Sequence, residues 1–191
     1  MRTRILAVLA SGLLIAACGQ SGNAPSMTAN PASPSVVGMS TADVPFHSEV
    51  VWTKVEGSDI SLCDRPAPAG KVYLRRNTQT GTHVTTHLGA GDFLGHTCVY
   101  GIVTPDGRPV FQGWLADFEW TAANGDVLRA TSEFQYWTGV PGQSIAVDVV
   151  TFHGGGTGRF EYVQGEGMAY VNAVERTAMF EGAIRYGKKD K

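Results

Sequence analysis

The chain has 191 residues, a formal net charge of −2 and only 17% charged residues, which is one domain with extensions rather than two domains. Its 24 glycines and 9 prolines argue against a helical bundle or coiled coil. A near-neutral charge without a basic run gives no footprint for nucleic acid as a partner, while eight Phe, four Trp and six Tyr supply material for a core.

Met1 to Ala17 reads as a secretion signal. Arg2 and Arg4 form a basic start, and Ile5 to Leu14 is an apolar run broken only by Ser11 and Gly12. It is too short for a permanent membrane span. It ends in Leu14-Ile15-Ala16-Ala17-Cys18, which resembles a bacterial lipobox: small residues fit a peptidase cleft, and the Cys thiolate takes the diacylglyceryl group. A plain signal peptide followed by a chance Cys, or a buried N-terminal helix, are the alternatives. Removing Arg2 and Arg4 with the leader shifts the charge from −2 to −4. Each buried lipid CH₂ contributes about 0.8 kcal/mol, so two or three acyl chains (palmitate among them) on Cys18 anchor the protein stably. Gly19, rather than Asp, follows the Cys; by resemblance to Gram-negative lipoproteins this favours the cell outer membrane. The membrane is thus an expected partner, through Cys18.

Residues 18–45 read as a tether. From Gly19 to Pro45 the segment is rich in Ser, Pro and Gly, carries one charge, Asp43, and has no aromatic residue. It lacks the apolar surface to offset its ordering entropy. The remaining cysteines, Cys63 and Cys98, suit a disulfide in an oxidising compartment, closing a loop of about 35 residues and contributing roughly 3 kcal/mol. Two free buried thiols are the alternative, and Cys98 with His96 as a catalytic pair lacks an orienting third group.

Residues 46–191 read as strands. The expected runs are Ser48–Val55, Lys71–Asn77, Thr82–Leu88, Gly95–Thr104, Phe111–Thr121, Val127–Trp137, Ser144–His153, Gly165–Ala173 and Ala178–Tyr186. In the best of them Trp114, Ala116, Phe118 and Trp120 share one face against Asp117, Glu119 and Thr121, the period of two of a half-buried strand. Asn124-Gly125 then signals a hairpin. The return strand puts Leu128, Ala130, Ser132, Phe134 and Tyr136 on one face. Arg159 to Gln164 is expected to form at most one helical turn. Eight or nine amphipathic antiparallel strands hide one face and remove two edges by closing, so an all-β, eight-stranded antiparallel barrel is predicted, with a β-sandwich as the alternative.

Several pieces carry a resemblance. They are Thr86-His87-Leu88-Gly89, Thr121-Ala122-Ala123-Asn124-Gly125-Asp126, Phe152-His153-Gly154-Gly155-Gly156-Thr157-Gly158-Arg159-Phe160, Gly165-Glu166-Gly167 and Phe180-Glu181-Gly182-Ala183-Ile184-Arg185-Tyr186. In order and spacing, over about residues 70 to 187, they resemble the small secreted barrels related to allene oxide cyclase and dirigent proteins, within the calycin-like group. The resemblance implies an eight-stranded barrel with an apolar interior. After Arg159-Phe160 the chain departs from the family's small residues with Glu161-Tyr162-Val163-Gln164, and the plant enzyme's catalytic residues have no counterparts here.

Motifs for chemistry are absent: there is no Gly-x-Ser-x-Gly, His-Glu-x-x-His or Cys-x-x-Cys. No cofactor and no metal is expected. His83 and His87, read as one strand face near His96, would stand about 13 Å apart, too far to share one metal. No catalytic residue is assigned. The candidate ligand pocket is the stripe Trp114, Phe118, Trp120, Ser132, Phe134 and Tyr136, which ordinary barrel core would equally explain.

The reading that results is a lipid-anchored envelope protein, periplasmic or surface-exposed, whose barrel binds a small apolar ligand. The alternatives are a cyclase- or isomerase-type enzyme, marked by an inward-pointing ionisable group such as Asp148 or Glu133 (alternation turns Glu133 outward), and an interaction module with a filled core and an exposed aromatic patch.

Overall fold

A computed structural model describes residues 43–139 and 145–187. The expected leader, the lipidation site Cys18 and the expected tether as far as residue 42 lie outside the described residues, whereas Val44 and Pro45, expected as the end of that tether, are paired in the first strand. Eight strands follow in chain order: β1 (Val44–Ser58), β2 (Val72–Thr85), β3 (Gly89–Val103), β4 (Pro109–Ala122), β5 (Val127–Thr138), β6 (Ile145–Phe152), β7 (Gln164–Asn172) and β8 (Thr177–Arg185). Each pairs antiparallel with the next, and β8 returns to β1 through pairs such as Phe46↔Gly182 and Ser48↔Phe180. The result is one closed barrel, not a sandwich.

Lys71–Asn77 and Thr82–Leu88, expected as two strands, prove to be one. β2 stays paired with β3 from Arg75 to Thr85. Gly81, which reads as a break, instead lets β1 approach, since a Cβ there would lie 2.0 Å from the Val51 carbonyl oxygen. His87 consequently leaves the strand for the β2–β3 turn and does not share a strand face with His83.

The up-and-down order puts four connections at one end of the barrel (β1–β2, β3–β4, β5–β6, β7–β8). The other three connections and both outer strand ends lie at the opposite end. That second end is plugged. The β6–β7 connection makes a single 3-10 turn, Gly158–Phe160, and adds Phe160 and Val163 to the core beside Leu88 from the β2–β3 turn. Thr157 fixes this connection to β5: its hydroxyl accepts the Val127 N–H at 2.8 Å, and its own N–H donates to the Val127 carbonyl at 2.9 Å. Gly158 has φ +57, and a Cβ on it would meet the Asp126 carboxylate, so only glycine fits there. Arg159 donates to the His87 carbonyl and covers the Phe160 ring.

Inside, period-two alternation brings six large rings together. Phe46 stacks on Phe152 at 4.6 Å, and Phe180 meets Trp120 at 5.0 Å and Phe118 at 5.3 Å, with Phe93 5.6 Å from Trp120. Each such ring contributes about 1.5–3 kcal/mol by burial, and each close pair about 0.5–1.5 kcal/mol more. A polar thread runs through this core. Burial lowers the His83 pKa and keeps the ring neutral. Its Nε2–H donates to the Thr121 carbonyl at 3.2 Å, and its Nδ1 accepts from the Thr85 hydroxyl at 2.9 Å. The Thr85 and Ser48 hydroxyls are bonded at 2.8 Å, and Trp120 Nε1–H donates to Ser48 at 3.1 Å.

The outer wall carries charge: Glu49, Asp117, Arg129, Glu133, Glu166 and Glu181 are all exposed. A lipid-facing barrel wall places an apolar band there instead. Among the described residues no helix is long and apolar enough to cross a membrane.

Candidate functional site at a parted edge of the barrel

One seam of the barrel is incomplete. β4 and β5 pair from Thr121↔Val127 only as far as Leu115↔Glu133. Beyond that point β4 stays on β3 to Pro109↔Val103, and β5 stays on β6 to Thr138↔Ile145. The two strands therefore part towards the unplugged end. Next to the last paired rung, Leu115↔Glu133, Arg65 adds a bridge. Its guanidinium donates to the Ala116 carbonyl at 2.8 Å and the Ser132 carbonyl at 3.4 Å, joining the two strands where their pairing runs out. Arg65 belongs to the β1–β2 connection. Tyr73 O–H donates to the Arg65 carbonyl at 2.5 Å, and the disulfide Cys63–Cys98, with a Cα–Cα distance of 6.0 Å, ties that connection to β3. Cys98 is thus a half-cystine, which removes the thiolate that pairing with His96 would need.

Four rings fill the parted edge: Phe111 and Trp114 from β4, Phe134 and Trp137 from β5. Trp114 lies 4.8 Å from Phe134 and 5.6 Å from Trp137, and Phe111 lies 5.6 Å from Phe134. The cluster runs from solvent to core. Phe111 and Trp137 are 38% and 44% exposed, while Trp114 and Phe134 pack against the buried cluster.

Behind the rings sits Asp148 of β6. It falls in the inward phase with Ala146, Val150 and Phe152 and is 0% exposed. Trp114 Nε1–H donates to its Oδ2 at 2.7 Å, and the Ser132 hydroxyl donates to the same oxygen at 2.9 Å. Its Oδ1 is buried and has no partner. Burial pushes the Asp148 pKa up from 3.8 to about 6, with the Trp114 and Ser132 hydrogen bonds acting the other way. The Tyr100 phenol is also raised, first by burial and then by the charges of Glu133 and Asp148. Trp52 Nε1 and Arg76 Nε are likewise buried without a partner. Asp148 alone of the three is an acid.

The sequence-derived stripe divides in this structure. Trp114, Ser132 and Phe134 converge on Asp148. Phe118 and Trp120 belong to the packed ring core. Tyr136 is 54% exposed and leaves the stripe, because an irregularity between Phe134 and Tyr136 in the β5–β6 ladder resets the alternation. Trp137, opposite the fully buried Ala146, takes the inward phase in its place. Alternation turns Glu133 outward, and it is exposed. Phe111, Trp137 and Arg65 lie outside the sequence-derived set. The first two follow from the parted ladder, and Arg65 reaches the seam from a distant connection, which no local pattern signals.

The histidines serve separate bonds. His83 is in the core thread, His87 Nε2–H donates to the Pro45 carbonyl at 2.6 Å, and His96 Nδ1 is bonded to the Thr78 hydroxyl at 3.2 Å. Among the described residues no three His, Cys, Asp or Glu side chains gather as metal ligands. A separate concavity of about 510 Å³ lies open to solvent on the outer wall, lined by Thr53, Thr80, Thr82, Asp92, Leu94 and Glu119 among others. Its lining mixes threonines and two carboxylates with apolar atoms of Leu94 and Phe93, and it includes none of the parted-edge rings. No family model, curated protein or solved structure matches this chain.

Proposed function

We propose that this protein is a lipid-anchored barrel of the bacterial cell envelope, tethered through Cys18, that binds a small apolar molecule at the parted β4–β5 edge. The lipobox-like Leu14-Ile15-Ala16-Ala17-Cys18 supports the anchor, and the order and spacing of the glycine-rich pieces support kinship with the allene oxide cyclase and dirigent-like barrels. The observation that carries the binding reading is the half-exposed four-ring cluster of Phe111, Trp114, Phe134 and Trp137. It offers apolar surface where β4 and β5 both run on beyond Leu115↔Glu133 without pairing to each other.

Titration of the full-length chain with the neutral probe N-phenyl-1-naphthylamine is expected to show saturable, one-to-one binding with quenching of tryptophan emission. Trp114→Ala is expected to weaken it about tenfold, the loss of one well-packed aromatic contact. Absence of saturable binding across a panel of lipids and aromatics overturns the reading. The anchor is tested separately: labelled palmitate should enter the wild-type chain and be lost in Cys18→Ser.

A second reading, an isomerase-type enzyme, is favoured by Asp148, a buried carboxyl with a pKa of about 6, which suits proton transfer near neutrality. It ranks lower because the groups bonded to this carboxyl, Trp114 and Ser132, are donors of ordinary hydrogen bonds and form no acid–base pair with it.

A further inference from the structure

The carboxylate of Asp148 is incomplete in a specific way. Oδ2 receives two hydrogen bonds, whereas Oδ1 receives none although both atoms are enclosed. None of the ion pairs among the described residues includes Asp148. Arg65, which reaches β4 and β5 from the β1–β2 connection, is committed to the Ala116 and Ser132 carbonyls and stands 3.7 Å from the Asp117 carboxylate. A buried carboxylate without a counter-charge is costly, and the cost is relieved by a cation that also donates hydrogen bonds. The walls beside it are π faces, which attract cations as well as apolar groups.

We propose that the parted edge recognises an organic cation: an aromatic or aliphatic monoamine whose ammonium group donates to Asp148 Oδ1 and whose apolar body lies against Trp114, Phe134, Phe111 and Trp137. The proposal rests on the small-ligand reading above and names its ligand class. Reaching Oδ1 from the parted edge requires the Trp114–Phe134 pair, 4.8 Å between centroids, to shift aside. No covalent step is involved. The Ser132 hydroxyl and the Trp114 indole position the carboxylate by holding Oδ2, which leaves Oδ1 directed at the ligand.

The binding should depend on pH. The groups that face Asp148 from the strands around it are Trp114 of β4 and Ser132 of β5, by hydrogen bonds, and its ladder partners Phe134 of β5 and Ala169 of β7. None of these titrates, and the one phenol that feels the Asp148 charge, Tyr100, has its pKa raised from 10, far above the range used. With a carboxyl pKa of about 6, roughly a tenth of the sites are ionised at pH 5 and nearly all at pH 7.5, so amine affinity falls about tenfold over that interval.

The test compares 2-phenylethylamine with its neutral near-isostere 2-phenylethanol by calorimetric titration of the full-length chain. At pH 7.5 the amine is expected to bind at least tenfold more tightly. In Asp148→Asn that preference is expected to shrink below twofold. In the wild-type chain, which needs no variant to fold, lowering the pH to 5 should weaken the amine about tenfold and leave the alcohol unchanged. Equal binding of amine and alcohol overturns the cation assignment and leaves the apolar-ligand reading standing. A preference that survives Asp148→Asn, or that does not change with pH, overturns the role of Asp148. Failure of both compounds and of N-phenyl-1-naphthylamine overturns the underlying reading as well.

Discussion

The plugged half of the barrel and the parted β4–β5 edge are built from the same residue types and end in opposite states. In the plugged half, Trp120 is fully buried, its indole N–H reaches Ser48, and a neutral His83 uses both ring nitrogens. At the parted edge, Trp114 is only partly buried, its indole N–H is bonded to an acid, and that acid keeps one enclosed oxygen without a partner. Satisfied polar groups within close-packed rings make a rigid, stabilising core. An unpaired buried carboxylate beside half-exposed rings costs stability, and sites of that kind are where function is found. Aromatic content alone does not separate core from site; the fate of the polar atoms does.

The largest expected effect lies in the plugged half. Trp120→Ala removes a fully buried ring from the core and should cost about 3–5 kcal/mol in urea unfolding, with pocket-probe affinity changed only through the loss of folded protein. A cost below about 1 kcal/mol would mean that this half is not the structural core. Next comes the double variant Cys63→Ser, Cys98→Ser. Opening a 35-residue separation should cost roughly 3–4 kcal/mol and free the connection that carries Arg65, so unfolding in reductant should match the double variant.

Asp148→Asn should act in the other direction. Its folded-state pKa is raised from 3.8 to about 6, so the native state binds the proton more tightly than the unfolded chain. Native stability therefore falls as pH rises from about 4 through about 6. By linkage the ionised side chain costs on the order of 2–3 kcal/mol above pH 7. Relative to wild type, Asp148→Asn should gain about that much at pH 8 and little at pH 4. His83, whose pKa is lowered by burial, has the opposite slope: stability is lost as pH falls below about 6.5, the ordinary histidine value. The difference between variant and wild type cancels this background, and a difference that does not change with pH would contradict the assignment of a buried, raised carboxyl. The smallest effect on stability is expected for Trp137→Ala. This ring is 44% exposed, so its removal should cost under about 1 kcal/mol yet weaken N-phenyl-1-naphthylamine several-fold in the same fluorescence titration.

Much of this contrast is legible in the amino-acid order. Trp114-x-Ala116-x-Phe118-x-Trp120 gives the inward face of β4 directly. Ala146-Val147-Asp148-Val149-Val150 carries an acid in an apolar run, but both of its phases are apolar, so alternation leaves the direction of Asp148 open and the β5–β6 and β6–β7 ladders decide it. The rest depends on non-local geometry. The strand running through Asn77 and Gly81 looks interrupted because Gly81 is needed for a close approach by β1, a partner that local sequence does not announce. The inward phase passes from Tyr136 to Trp137 because the β5–β6 ladder slips by a residue, and no residue in that run marks the slip. Where β4 and β5 part is a property of three ladders at once, and so is the placement of Phe111 opposite Phe134.

The most direct test maps where an apolar ligand settles. Amide chemical-shift changes in the ¹⁵N-labelled full-length chain, followed during titration with N-phenyl-1-naphthylamine, should fall on residues 109–116, 132–138 and 146–149, with the Trp114 indole N–H among the largest. Shifts confined to Thr80, Thr82, Asp92 and Glu119 of the outer concavity, or no saturable shifts, would contradict the assignment of the parted edge as the binding site.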